Sequence, residues 1–237
     1  MIRLNVFPRQ PAGLGLIDHL LRDRVQFFDD IKRGRDLPAK LRAMLGSSGA
    51  ALALYGALLG STHSGWQSLS SVVKLPLLFL ATLLICAPAL YIINMLFGAN
   101  QRLSQSVALV LAAISLTAVL LASFAPITLF FLLTAPDSYQ SFKLLNVLFF
   151  IIAGGSGAAC LSQGLKIVST GATKSHRLMF GLWLAVYGLV GSQMAWTLRP
   201  YVGYPGSPFE LIRQFGGNFY TNILSSLGEI LGFIIVK

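Results

Sequence analysis

Between residues 44 and 198 the chain is a succession of long, almost uncharged apolar runs broken by short polar segments. Five runs stand out, at 44–61, 75–97, 107–134, 142–165 and 178–198. Each is close to or above the ~20 residues that a helix needs to cross a bilayer. The pattern predicts an all-α polytopic membrane bundle of about five transmembrane helices. The 107–134 run is longer than a crossing requires, so tilt or a bend is expected there.

The polar ends carry a different period. Within residues 14–31, Ile17, Leu20, Leu21, Phe28 and Ile31 fall near one helical face, which predicts an amphipathic helix, with Gly34 to Pro38 breaking it. Residues 219–236 repeat Ile223, Leu227, Ile230 and Ile234 on one side, with Asn222, Ser225, Ser226 and Glu229 on the other. A mid-helix carboxylate favours a helix lying in the interface over a sixth span. Three parts result: a cytoplasmic amphipathic and basic segment at 1–43, the five-helix bundle at 44–198, and an outer-face aromatic elbow with an interfacial helix at 199–237. The opening has no apolar core with a cleavage site in signal-peptide register, so the N-terminus is expected to be retained.

Small residues and prolines mark where the spans should meet or bend. The first run is only weakly apolar, and Gly56-x-x-x-Gly60 offers a groove through which a neighbouring helix can approach and hold it. In the fourth, Gly154-x-x-x-Ala158 lies in the dense small-residue patch 153–159 and suggests the same. Pro88 and Pro126 each remove a backbone donor inside a span and are the candidates for kinks.

The last run surfaces in an aromatic, proline-rich elbow from Gln193 to Glu210. Arg199 complements the helix dipole and Pro200 disfavours helical geometry before it, so the span should end near Leu198. Trp196, Tyr201 and Tyr204 then fall at headgroup depth, where amphipathic rings are favoured. Ser207-Pro208-Phe209-Glu210 has the form of a capping box that starts another helix. Trp196, Arg199, Tyr201, Tyr204 and Phe209 are the candidate partner-binding residues, Arg199 for a carboxylate, carbonyl or lipid phosphate. The alternative is an interfacial belt that only terminates a helix.

Composition sharpens this picture. Hydrophobic residues make up 55% and charged residues 11%, against roughly 45–50% and ~25% in soluble domains. The net charge of +10 is concentrated, with nine of the 18 basic residues at or before Arg42. A basic segment beside anionic lipid accounts for that more economically than nucleic-acid binding, since Asp18, Asp23, Asp29, Asp30 and Asp36 dilute the field. With the N-terminus cytoplasmic, thirteen basic residues lie inside and five outside, the outer ones being Lys74, Lys143, Arg199, Arg213 and Lys237. That asymmetry sets the orientation N-in and places the elbow on the outer face.

No constellation of catalytic or metal-ligating residues appears. His19, His63 and His176 lie in separate polar segments, and Cys86 and Cys160 sit in apolar runs where thiols behave as small hydrophobes, with no disulfide expected. The sequence implies no cofactor and no enzyme. The interiors of spans two to five hold no charged residue, and the polar but neutral groups there include Asn94, Ser123, Thr128, Asn146, Ser156, Ser162 and Gln193. These could line a pore or cleft opened by the prolines, or join helices by hydrogen bonds.

Several segments carry a family likeness: Tyr55-Gly56, Lys74-Leu-Pro-Leu-Leu-Phe-Leu80, Ala122-Ser-Phe-Ala-Pro-Ile127, Lys143-Leu-Leu-Asn-Val-Leu-Phe-Phe150 and Gln193-Met-Ala-Trp-Thr-Leu-Arg-Pro200. On these the chain resembles a group of bacterial multi-span inner-membrane proteins, some labelled as actin-binding WH2 proteins. In its plan of a polar N-terminal segment and about five spans it also resembles Yip1-like membrane proteins. The resemblance implies a multi-pass protein of the bacterial inner membrane and transfers no activity or site residues. Two hypotheses follow from the residues. The first is a non-enzymatic subunit or scaffold of a membrane complex, with membrane lipids and another membrane protein or a second copy as partners. The other is a channel or transporter for a neutral or lipidic solute.

Overall fold

The computed structural model describes residues 14–61, 65–98, 101–134, 139–169 and 176–202, together with Leu211 and Tyr220. Seven helices occupy them: α1 (Leu14–Arg22), α2 (Arg24–Arg33), α3 (Leu37–Gly60), α4 (Gly65–Leu96), α5 (Leu103–Thr134), α6 (Tyr139–Val168) and α7 (His176–Thr197). The five from α3 to α7 are long and apolar enough to cross a membrane. The all-α polytopic architecture is therefore as expected. The C-terminal helix expected at 219–236 lies outside the described residues.

The bundle is built around α5. Every residue from Ala108 to Ala118 is buried, as befits a helix that is apolar all round and surrounded by others. It packs on α3, α6 and α4, while α7 lies mainly against α4. Both α4 and α5 run unbroken through their prolines, Pro76 and Pro88 in one and Pro126 in the other.

Two boundaries differ from expectation. The single N-terminal amphipathic helix is two helices, because Asp23 leaves helical geometry and its carboxylate caps the backbone N–H of Gln26 at 3.2 Å. Gly34, at φ +69°, ends α2 in the left-handed conformation, its N–H bonded to the carbonyl of Ile31 at 3.0 Å. The second correction is that α4 starts at Gly65, ten residues before the apolar run. Lys74, read from sequence as a residue of an outer loop, is a helical residue only 6% exposed. Hydropathy missed it because the first turns of α4 are polar on the side that another part of the chain covers.

The two short helices form a collar docked on one end of the bundle. Leu16, Ile17, Leu20, Phe27, Phe28 and Ile31 are all buried there. Phe28 fills a notch at Gly164 of α6, where any Cβ would meet its ring and Leu109. The Gln105 amide of α5 donates to the carbonyls of Ile31 and Lys32, at 3.3 and 2.8 Å. Lys40, 1% exposed, reaches back to Asp30 at 2.8 Å and lies over the Phe27 ring.

Candidate functional site

The elbow is assembled from α3 outward. Gly56 and Gly60 leave room for the backbone of α4: a Cβ on the first would strike the Ser71 carbonyl, and one on the second the backbone of Gln67 and Ser68. Ser68 closes the hairpin by donating to the Ala57 carbonyl at 2.9 Å. With that side of α4 pressed on α3, the side chains of Gln67, Ser71 and Lys74 project together, spaced by i, i+4 and i+7.

They meet the end of α7. Gln67 Nε2 and Lys74 Nζ both donate to the Pro200 carbonyl, at 2.7 and 3.1 Å. Ser71 Oγ donates to the Tyr201 carbonyl at 2.7 Å, and Lys74 also donates to the Leu211 carbonyl. A helix must end before Pro200, so the carbonyls beyond it need partners, and α4 supplies them. Deeper in the bundle Trp183 Nε1 donates to the Cys86 carbonyl at 3.0 Å, fixing α7 on α4 a second time.

Around this clasp the Arg199 guanidinium stacks on Trp196, 3.4 Å from Cζ to the ring centroid. The Arg199–Pro200 peptide is cis. Trp196, Arg199 and Tyr201 are half-buried. The Tyr201 hydroxyl is buried with no hydrogen-bond partner among the described residues, and burial pushes its pKa up. The structure thus brings Trp196, Arg199 and Tyr201 together; Tyr204 and Phe209 lie outside the described residues. The residues that sequence reasoning missed are Gln67, Ser71 and Lys74. Their helical spacing was a usable signal, hidden because the segment passed for a loop.

The other candidates are placed as follows. Gly56 and Gly60 lie in the α3–α4 contact already described. Nothing stands within 4 Å of a Cβ at Gly154, and Ala158 is half-buried. Within the bundle it is Gly157 of the same patch that makes the close approach, to Thr117 and the Ala113 carbonyl of α5. One residue turns a side chain by about 100° around a helix, so the small-residue patch alone could not say which member faces the neighbour. Lys74 lies inside α4, one residue ahead of the apolar run.

The neutral polar groups are dispersed. Tyr55 of α3 donates to Asn146 Oδ1 of α6 at 2.6 Å and lies 3.4 Å from Thr128 Oγ1 of α5, while Asn146 Nδ2 donates to the Phe142 carbonyl at 2.8 Å. Asn94 donates to Gln101, and Gln101 to Ser169, at the other end of the bundle, beside the collar. Ser123 and Ser156 turn back to carbonyls of their own helices. An apolar crevice of about 60 Å³ between α3, α4 and α5, lined by Leu52, Phe79 and Leu111 among others, has room for a water or two. Among the described residues no three His, Cys, Asp or Glu side chains gather where they could hold a metal ion.

The family model of the Yip1 domain matches residues 19–195. That range runs from the collar through all five spans to the threshold of the elbow. No curated protein and no solved structure matches the chain.

Proposed function

The chain belongs to the Yip1 domain family of membrane proteins, and from that premise we propose that it is a non-enzymatic subunit or scaffold of a membrane complex. The elbow is its docking surface. The complex sits in a bacterial inner membrane, with the collar cytoplasmic and the elbow on the outer face. The clasp between α4 and the elbow is the observation that supports this reading. A loop that only ends a helix needs no lysine, glutamine and serine from another helix to hold its carbonyls. Binding is favoured when the surface is already ordered, because less entropy is lost on docking. In the interior Tyr55 pairs with Asn146 and Thr128, and Asn94 with Gln101, which favours a structural bundle over a solute path.

The test is to tag the N-terminus, extract the protein in mild detergent and measure native mass with whatever co-purifies. Arg199→Ala removes the stacked cation and leaves the Gln67, Ser71 and Lys74 bonds to the elbow carbonyls in place, so a stoichiometric partner should fall away while α7 stays clasped to α4. A protein that purifies alone, or a partner indifferent to Arg199→Ala and Tyr201→Ala, would overturn the proposal.

A further inference from the structure

The collar carries a second surface, distinct from the elbow and at the other end of the bundle. Its carboxylates are mostly engaged internally: Asp18 on Arg22 at 2.6 Å, Asp29 on Arg33 at 2.7 Å, Asp30 on Lys40 at 2.8 Å, and Asp23 on the backbone of Gln26. The dilution of positive charge that composition suggests is therefore local and does not extend to the rim. Lys32, Arg42, Arg102 and Lys166 are exposed and have no ion pair among the described residues; Asp36 is the remaining exposed carboxylate.

These four cations are distributed around the collar end of the bundle, Lys32 in α2, Arg42 in α3, Arg102 just before α5 and Lys166 in α6. The Gln105 bonds to Ile31 and Lys32 set the first turn of α5, with Arg102, beside the end of α2. Phe28 in the Gly164 notch holds the last turns of α6, which carry Lys166, at the same end of the bundle. Arg42 lies two residues beyond Lys40, which is bound to Asp30 of α2. Apolar side chains accompany them: Leu45 one turn from Arg42, Leu103 next to Arg102, and Val25 of the collar, 68% exposed.

We propose that this rim binds the headgroups of anionic phospholipids in the leaflet that abuts the collar, with Lys32, Arg42, Arg102 and Lys166 on the phosphates. The alternation of exposed cation and exposed aliphatic side chain at the end of a transmembrane bundle fits a lipid, whose phosphate and acyl chain are adjacent. The collar's own apolar face is occupied by the bundle, so the contact is one of headgroup recognition and not of helix insertion.

The full-length protein in neutral detergent is titrated with phosphatidylglycerol or phosphatidylcholine, reading bound lipid by native mass spectrometry and stability by thermal melting. The wild type should retain phosphatidylglycerol in preference and melt higher with it, an effect that salt weakens. Each cation near an anionic surface contributes enough that losing four should weaken the preference by about tenfold or more. The variant K32Q/R42Q/R102Q/K166Q should melt as the wild type does in phosphatidylcholine and bind the two lipids alike. Equal retention of both lipids by the wild type, or an unchanged preference in the variant, overturns the proposal. Competition by inorganic phosphate at matched ionic strength would mean an anion site indifferent to the lipid, and binding of polyglutamate in place of phosphatidylglycerol would mean a surface for acidic proteins; either result also overturns it.

Discussion

At the scale of single residues, Tyr55 does what neither its neighbours nor its own hydrophobicity could do. It is wholly buried, and its hydroxyl is the donor that joins α3 to α6 while touching α5. Tyr55→Phe leaves the ring in place but strands Asn146 Oδ1 in a medium that offers no water. The expected cost is about 0.6–2 kcal/mol, the range for interhelical hydrogen bonds in membranes. A thermal melt in detergent should fall accordingly, and an unchanged melt would mean that the bond carries nothing. Asn146 and Thr128 were visible as polar residues in apolar runs. Tyr55 was not, because tyrosine belongs equally to an apolar span and to an interface, and only the packing says which end of it matters. Lys74 escaped for a related reason. Its charge argued for a loop, whereas the carbonyls that accommodate it come from a segment more than a hundred residues away in the chain.

At the scale of elements, the five spans were legible in position and number because hydropathy integrates over a whole helix and tolerates local error. Helix ends were not, since they depend on caps and on what covers the first turns. Asp23 splitting the collar and the polar start of α4 are both cases where a few hydrogen bonds override the periodicity. The collar itself gives the clearest test of an element. Asp30→Asn removes the countercharge of a lysine that is 1% exposed, and breaking a buried pair from one side costs ~3–5 kcal/mol. The loss should appear first as faster amide exchange across α2, with α5 remaining protected. Because Asp30 also faces Arg35 at 3.7 Å, the companion variant Arg35→Gln, whose pair is exposed, should change exchange little. If α2 exchanges no faster in Asp30→Asn, the pair does not hold the collar.

At the scale of the whole molecule, the elements define two faces. The start of α5 and the end of α6 meet the collar, and the start of α4, itself packed on the end of α3, meets the elbow. At 32 residues each, α4 and α5 extend ~48 Å, well beyond the ~30 Å of hydrocarbon. Their overhangs are therefore available to build both faces. Lys74, ~14 Å along α4, is near enough to the boundary for its charge to be met by elbow carbonyls. Five crossings would put the collar and the elbow on opposite sides, and in the orientation proposed above the collar end, with its excess of Lys and Arg, faces inward. Cysteines introduced at Leu21 and Leu211, both exposed, can report on the arrangement, because the native Cys86 and Cys160 are buried. With a membrane-impermeant maleimide on intact cells, Leu211→Cys should label and Leu21→Cys should label only after permeabilisation. The reverse pattern would invert the protein without changing its architecture. Labelling of both from the same side would require an even number of crossings, and then the clasp could not join the start of α4 to the end of α7 across a five-helix bundle.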